Sequence, residues 1–360
     1  MRFSTRLLLL SALCAAALAQ KAKLRPAPEV WMPALVDSNS PVFWRDRQFH
    51  LFNSAGTSVI SWGANQFAPL SSEAVRVDSD AHFPMWIEAA WMDSDGILYA
   101  WYHHEPSGVC PGGELTAPAI GALVSYDGGH SFQDLGLILT AADPPDCSSK
   151  NGFFAGGHGD FSVILDREGQ YFYFFFGNYG GPAHQQGIAM ARMAFEDRIS
   201  PVGAVWKYYN GRWEEPGIGG RVTPIFPVGT SWQEADTNAF WGPSIHWNSY
   251  LESYVILMNH ACCEPRWPQA GIFVSFNQDV SDPFGWTTPV KIMDHPPGYY
   301  PQVIGLLAGE SDTLASQVAR FYLHGVSAWE IVFSLADEDS EDTPEPPIDD
   351  AVPPSGLPPG

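Results

Sequence analysis

Five times along the chain a short apolar strand carrying an aromatic runs into a polar turn and then a second strand rich in Tyr, Trp and Phe. The five starts are Pro41-Val42-Phe43-Trp44, Met85-Trp86-Ile87-Glu88, Asp160-Phe161-Ser162-Val163-Ile164, Phe240-Trp241-Gly242-Pro243-Ser244-Ile245 and Tyr300-Pro301-Gln302-Val303-Ile304. Their partners occupy 49–52, 98–102, 171–176, 254–258 and 321–323. Alternation with β-branched and aromatic residues argues strand, and the intervening Asp, Gly, Asn and Ser argue turn, so each pair reads as a hairpin. Five such units predict an all-β fold of radially repeated antiparallel sheets, a five-bladed β-propeller in a single domain. That arrangement gathers the first strand of every blade around one channel, where residues distant in sequence meet.

The two ends lie outside the pattern. Residues 1–19 hold Arg2 and Arg6, an apolar run at 7–18 and Ala17-Leu18-Ala19 before Gln20, the pattern of a Sec-type signal peptide cleaved after Ala19. The run is short against the roughly 20 apolar residues that span a bilayer. Cys14 follows Leu13, which is bulkier than the residue expected before a lipidated cysteine. Residues 337–360 are acidic and then proline-rich, a composition that predicts a disordered tail. The propeller is therefore expected over 30–336, in a monomer that is secreted or periplasmic.

The 40 acidic against 18 basic residues give a net charge of −22, which repels nucleic acid and anionic membranes and excludes both as partners. Part of the excess lies in the tail. Of the five cysteines, Cys110, Cys147, Cys262 and Cys263 lie beyond the leader, and in an exported protein an even number favours disulfides over metal thiolates. Cys110 and Cys147 sit in two long polar excursions of the second unit. Cys262-Cys263 can bond to each other or pair separately with the other two, so all three connectivities stay open. The excursions 108–116, 142–159 and 259–269 are expected to wall one face of the channel.

One turn motif stands apart. Ser125-Tyr126-Asp127-Gly128-Gly129-His130-Ser131-Phe132 has the form of an Asp-box. In this turn Asp127 hydrogen-bonds backbone amides, the glycines accept positive φ, and Phe132 packs under the blade. Its role is structural, at a blade's outer edge. Ser275-Phe276-Asn277-Gln278-Asp279, with Trp286 beyond, is a degenerate version in the fourth unit.

With an Asp before the first strand and another opening the third, the order of units resembles the five-bladed glycoside hydrolases of the arabinanase, xylosidase and levansucrase type. The resemblance implies a general base or nucleophile at Asp37, in Val36-Asp37-Ser38-Asn39-Ser40-Pro41, and a pKa-tuning carboxylate at Asp160, in Gly156-Gly157-His158-Gly159-Asp160. Where that superfamily places an acid Glu before Gly-Pro, this chain has Trp241-Gly242-Pro243, and an indole donates no proton to a leaving oxygen. Glu88, inside the apolar run Trp86-Ile87-Glu88-Ala89-Ala90-Trp91, is the leading replacement, because burial raises a carboxyl's pKa as an acid requires. The competing reading makes Glu88 a channel-lining structural carboxylate. His104 and His158 are further acid or sugar-binding candidates, and Glu234 and Asp236 lie near the rim. Glycosidic cleavage needs one protonated and one ionised carboxyl, roughly 5–5.5 Å apart for retention or 6.5–9.5 Å for inversion. The competing role for Asp37 and Asp160 is as turn residues.

Aromatics at the first-strand openings, Trp44, Trp86, Trp241 and Tyr300, are the expected pocket walls for sugar C–H faces. The histidines show no His-x-x-x-His spacing that would mark zinc, so no catalytic metal or cofactor is expected, although the resemblance allows a structural Ca²⁺. The implied ligand is a neutral poly- or oligosaccharide. Two other readings remain: a non-catalytic carbohydrate-binding propeller, and a sialidase-like enzyme that would need three clustered arginines.

Overall fold

The computed structural model describes residues 19–113 and 115–336, so the leader and tail expectations lie outside the described residues. Five antiparallel-based sheets of four to six strands form the molecule, a five-bladed β-propeller. The innermost strands are Val42–Arg45, Met85–Met92, His158–Leu165, Ala239–Asn248 and Gln302–Gly305. Each pairs with the expected second strand: Gln48–Ser54, Leu98–His104, Tyr171–Asn178, Ser253–Ala261 and Val318–Leu323. Two short 3₁₀ turns, Ala183–Gln185 and Phe195–Ile199, are the helical elements among the described residues.

The blades are glued by a separate apolar cluster at each interface. Phe52 with Ile87 joins the first and second blades, Trp101 with Phe174 the second and third, and Phe175 with Ile256 the third and fourth. Leu257 with Phe321 joins the fourth and fifth, and Leu51 with Tyr322 closes the circle from first to fifth. Side chains on both faces of the middle strands are therefore buried, which is why those segments read as nearly unbroken apolar runs rather than strict alternation. On the axis, the buried Asn39 amide donates to Phe161 O (2.9 Å) and Pro243 O (2.8 Å), and Gln302 exchanges bonds with the Ser40 backbone. These bonds tie the segment before the first blade to the inner strands of the third, fourth and fifth.

The first strand corrects the expected boundary at residue 30. Gln20–Trp31 pairs antiparallel with Val326–Leu335 and forms the outer edge of the fifth blade, so the first and last described strands share one sheet. Two prolines and alternating Lys and Arg hid it. Only Ala22 and Leu24 of its inward row press on the core, the pattern of an edge strand.

The turn joining Ala119–Ser125 to Ser131–Leu139 is closed by side chains. Ser125 Oγ accepts from Gly129 N, while Asp127 accepts from Ser131 N, Ser131 Oγ and Ser125 Oγ at 2.6–2.9 Å. Burial opposes the Asp127 charge, but the Ser131 and Ser125 bonds outweigh it and hold the carboxyl at about 2. Gly128 and Gly129 take φ of 84° and 96°. Cys110 bonds to Cys147, and Cys262 bonds to its neighbour Cys263.

Candidate active site

Where the inner strands open, a cavity of about 630 Å³ is lined by the carboxyl-bearing Asp37, Glu105 and Asp160 and by Trp86, Trp241, Trp267, Tyr299 and Tyr300. Residues from the three long excursions close its side: Gly113, Leu115 and Thr116, then Phe153 and Phe154, then Arg266, Trp267 and Gln269. The Cys110–Cys147 bond and the backbone pair Thr116 N to Phe153 O (2.9 Å) and Ala155 N to Thr116 O (2.7 Å) fix the first two excursions against each other. Trp241, Trp267 and Tyr300 meet edge-on, with the Trp241 ring 5.7 and 5.5 Å from its two neighbours.

Backbone irregularity aims the central groups. The ladder of the third blade slips between Gly159 and Phe161, which makes Asp160 an extra residue with φ of 43°. A bulge of this kind bends the strand and re-aims a side chain, and Asp is among the few L-residues that tolerate positive φ. The buried Asp160 carboxylate accepts from Tyr179 Oη at Oδ2 and from Tyr300 Oη at Oδ1 (2.7 Å). Burial, then the Asp160 charge, pushes both phenols well above their ordinary range, so they stay donors.

A second bulge, between Ile87 and Ala89, turns Glu88 inward. Its side chain is 1% exposed. Oε2 accepts from Phe161 N (2.8 Å), and Oε1 lies 3.1 Å from His103 Nδ1. Glu88 therefore ties the second blade to the third beneath the cavity and does not line it, which corrects the expectation that it faces a leaving oxygen. Burial raises its pKa to about 7 against the opposing pull of His103. Burial alone would lower His103, but the bond to Glu88 and the charges of Glu88, Glu105 and Asp160 carry it up to about 9.

Asp37 reaches the cavity from the loop before the first blade, its backbone N–H held by Ser54 O at 2.7 Å. Desolvation, and next the Asp160 charge, raises its pKa, with His324 and His103 pulling the other way. The five first-blade, second-blade, third-blade, fourth-blade and fifth-blade residues Asp37, Trp86, Asp160, Trp241 and Tyr300 thus share one pocket.

Trp44, His104 and His158 do not line it. Trp44 packs edge-on against Phe49 and donates Nε1 to Glu310 O (2.6 Å). His104 sits with Nδ1 3.2 Å from Pro84 O and its ring against His82. His158 is buried beside Phe176 with Nδ1 3.1 Å from Gly157 O, and burial drives its pKa well down, so it is neutral. Each was named for its place near a strand opening, but the pleat turns alternate side chains away from the axis.

Glu105, Tyr179, Tyr299 and Trp267 were missed. The first two follow the ends of the second strands Leu98–His104 and Tyr171–Asn178. Antiparallel pairing sets those ends beside the inner-strand openings, Met85 opposite His104 and His158 opposite Asn178. Reading both ends of each hairpin would have found them. One set of potential metal-ligand atoms, from Glu88, His103 and Asp160, lies within 4.8 Å. Their oxygens already accept from Phe161 N, His103 and two tyrosines, which fits a hydrogen-bonded charge network.

No protein-family model and no curated protein matches the sequence. Solved structures do. An endo-arabinase from Bacteroides thetaiotaomicron aligns with a TM-score of 0.51 and 14% identity, over 85% of this chain and 96% of that one. The arabinanase Arb43A of Bacillus subtilis gives 0.46 and 10% over 85% and 95%, and a thermostable family-43 glycoside hydrolase gives 0.47 and 12% over 85% and 92%. At such identity the likeness to the endo-arabinase is one of fold.

Proposed function

We propose that this protein is an exported glycoside hydrolase acting on a neutral poly- or oligosaccharide, with Asp37 as general base or nucleophile and Asp160 as the carboxylate that tunes it. The observation that carries this reading is the meeting of Asp37 and Asp160, from the first and third blades, in one aromatic-walled pocket. Trp86 donates a hydrogen bond to the Asp37 carboxyl, and its ring lines the pocket with those of Trp241 and Trp267, which suits the flat body of a sugar. The aromatic faces suit its C–H surfaces. Three carboxyl-bearing residues in the lining and a net charge of −22 disfavour an acidic sugar. Arg266 is the one arginine in the lining, short of the three that a sialidase clamp requires.

Burial, and next the neighbouring Asp160, raise the pKa of Asp37, which makes Asp37 a stronger proton acceptor than a solvated carboxylate. A water placed between Asp37 and the anomeric carbon would lose its proton to Asp37 as the glycosidic bond opens. The Cys110–Cys147 bond and the strand-rich body fit an oxidising compartment, and no described helix is long and apolar enough to cross a membrane.

The test is an oligosaccharide screen with product analysis, run on the wild type and Asp37→Asn. Product from the wild type that falls at least about 10²-fold in the variant is the expected result. The presence of Trp241 at the fourth-blade opening favours a second reading, a sugar-binding propeller without turnover. Binding on a glycan array with no product from any glycan would establish that reading instead.

A further inference from the structure

We propose that Glu105 is the proton donor to the departing sugar oxygen, supplied from the residue that follows the second strand of the second blade. This rests on the glycosidase reading above and adds the group that reading lacks. The carboxyl-bearing residues of the described lining are Asp37, Glu105 and Asp160. Asp160 has a phenol donating to each of its oxygens, which holds it as an acceptor. Glu88 lies under the floor with a 1% exposed side chain, and Trp241 spends its one donor on Gln269 Oε1 at 3.2 Å. That leaves Asp37 and Glu105 as the lining carboxyls whose oxygens are not both taken by phenols.

Glu105 is placed to act. Its side chain is 30% exposed, and Oε1 lies 3.5 Å from Nε2 of His103, an atom with no hydrogen-bond partner of its own. Nδ1 of the same ring is 3.1 Å from Glu88, so Glu105, His103 and Glu88 form a row running from the cavity into the wall. The strand that carries His103 is anchored across the sheet to Ile120, and Pro106 O accepts from Thr116 Oγ1 at 3.0 Å, which holds the segment on both sides of Glu105. Burial raises the pKa of Glu105. His103 pulls it back, and Asp160 and Asp37 push in the same direction as burial.

In the reaction the Glu105 proton passes to the glycosidic oxygen as the anomeric C–O bond breaks, and that oxygen leaves as an alcohol. Water adds to the anomeric carbon and gives its proton to Asp37. Exchange with solvent then removes the proton from Asp37 and restores the one on Glu105, so one water is consumed per bond cleaved.

An acid is needed in proportion to the basicity of the leaving group. The experiment compares wild type, Glu105→Gln, Glu105→Asp and Asp37→Asn on the oligosaccharide that the wild type cleaves and on the 2,4-dinitrophenyl glycoside of the same sugar. Arabino-oligosaccharides, β-1,3-galactotriose and xylo-oligosaccharides serve as the starting panel. Glu105→Gln should lose about 10²- to 10⁴-fold on the oligosaccharide but less than about 5-fold on the dinitrophenyl glycoside, whose leaving group needs no proton. Glu105→Asp should fall between the two, and the alkaline limb of the wild-type pH–rate profile should be missing from Glu105→Gln. Asp37→Asn should lose activity on both substrates. Equal losses for Glu105→Gln on both substrates, or none on either, would overturn the assignment while leaving the glycosidase reading standing. A wild type that cleaves neither substrate would remove both.

Discussion

Asp160 holds a φ of 43° and accepts two buried phenols, a conformation that costs about 1–3 kcal/mol and persists only when its surroundings fix it. Asp160→Asn keeps the tolerance for positive φ but turns an NH₂ toward one tyrosine hydroxyl. Loss of a charge-assisted bond should lower stability by about 1.5–3 kcal/mol and reduce turnover, measured by denaturant unfolding and by kcat. An unchanged midpoint would mean that the tyrosines do not depend on the charge. His103 makes a second residue-scale prediction. Its folded-state value of about 9 lies above the ordinary 6.5, so its stabilisation is complete below pH 6.5 and is lost as pH rises through 9. His103→Gln should cost about 3 kcal/mol near pH 6, where the imidazolium and its bond to Glu88 are lost, and the gap to wild type should narrow by pH 10. Unfolding midpoints at the two pH values check the sign; a gap that widens would refute it.

At the scale of elements, the inner strands bulge at Glu88, at Asp160 and across Gly242-Pro243. Regular ladders would send alternate residues into the neighbouring blades; a bulge breaks that alternation and lets one more group reach the centre. The excursions that wall the cavity depend on a different device. The Cys110–Cys147 bond closes a separation of 37 residues, worth about 4 kcal/mol by loop-closure entropy. Replacing both cysteines by serine should lower thermal stability and raise KM more than it lowers kcat, because Thr116 and Phe154 lose their fixed approach while Asp37 and Asp160 keep theirs. Steady-state kinetics and a melting curve test this; a KM equal to that of wild type would show that the backbone pairing alone holds the wall.

At the scale of the whole molecule, Gln20–Trp31 covers the outer edge of the fifth blade by pairing with Val326–Leu335. Removing residues 20–31 should leave that long strand as an open edge, with earlier unfolding and concentration-dependent aggregation in size-exclusion runs. A monomer with an unaltered melting curve would mean that the edge strand is dispensable. Much of this architecture is written locally. Period-two apolar runs and Asp-Gly or Asn-Ser turns specify hairpins from contacts within about a dozen residues, so five blades and their inner strands were legible from the sequence alone. Glu105 and Tyr179 became site residues only through cross-strand register, which sets the end of one strand beside the start of another. The inward facing of Glu88 beneath the floor, and the turning of His104 and His158 away from the cavity, followed from bulges and blade packing. Those are settled between blades, by which side chains fill each interface, and no local pattern in the chain encodes them.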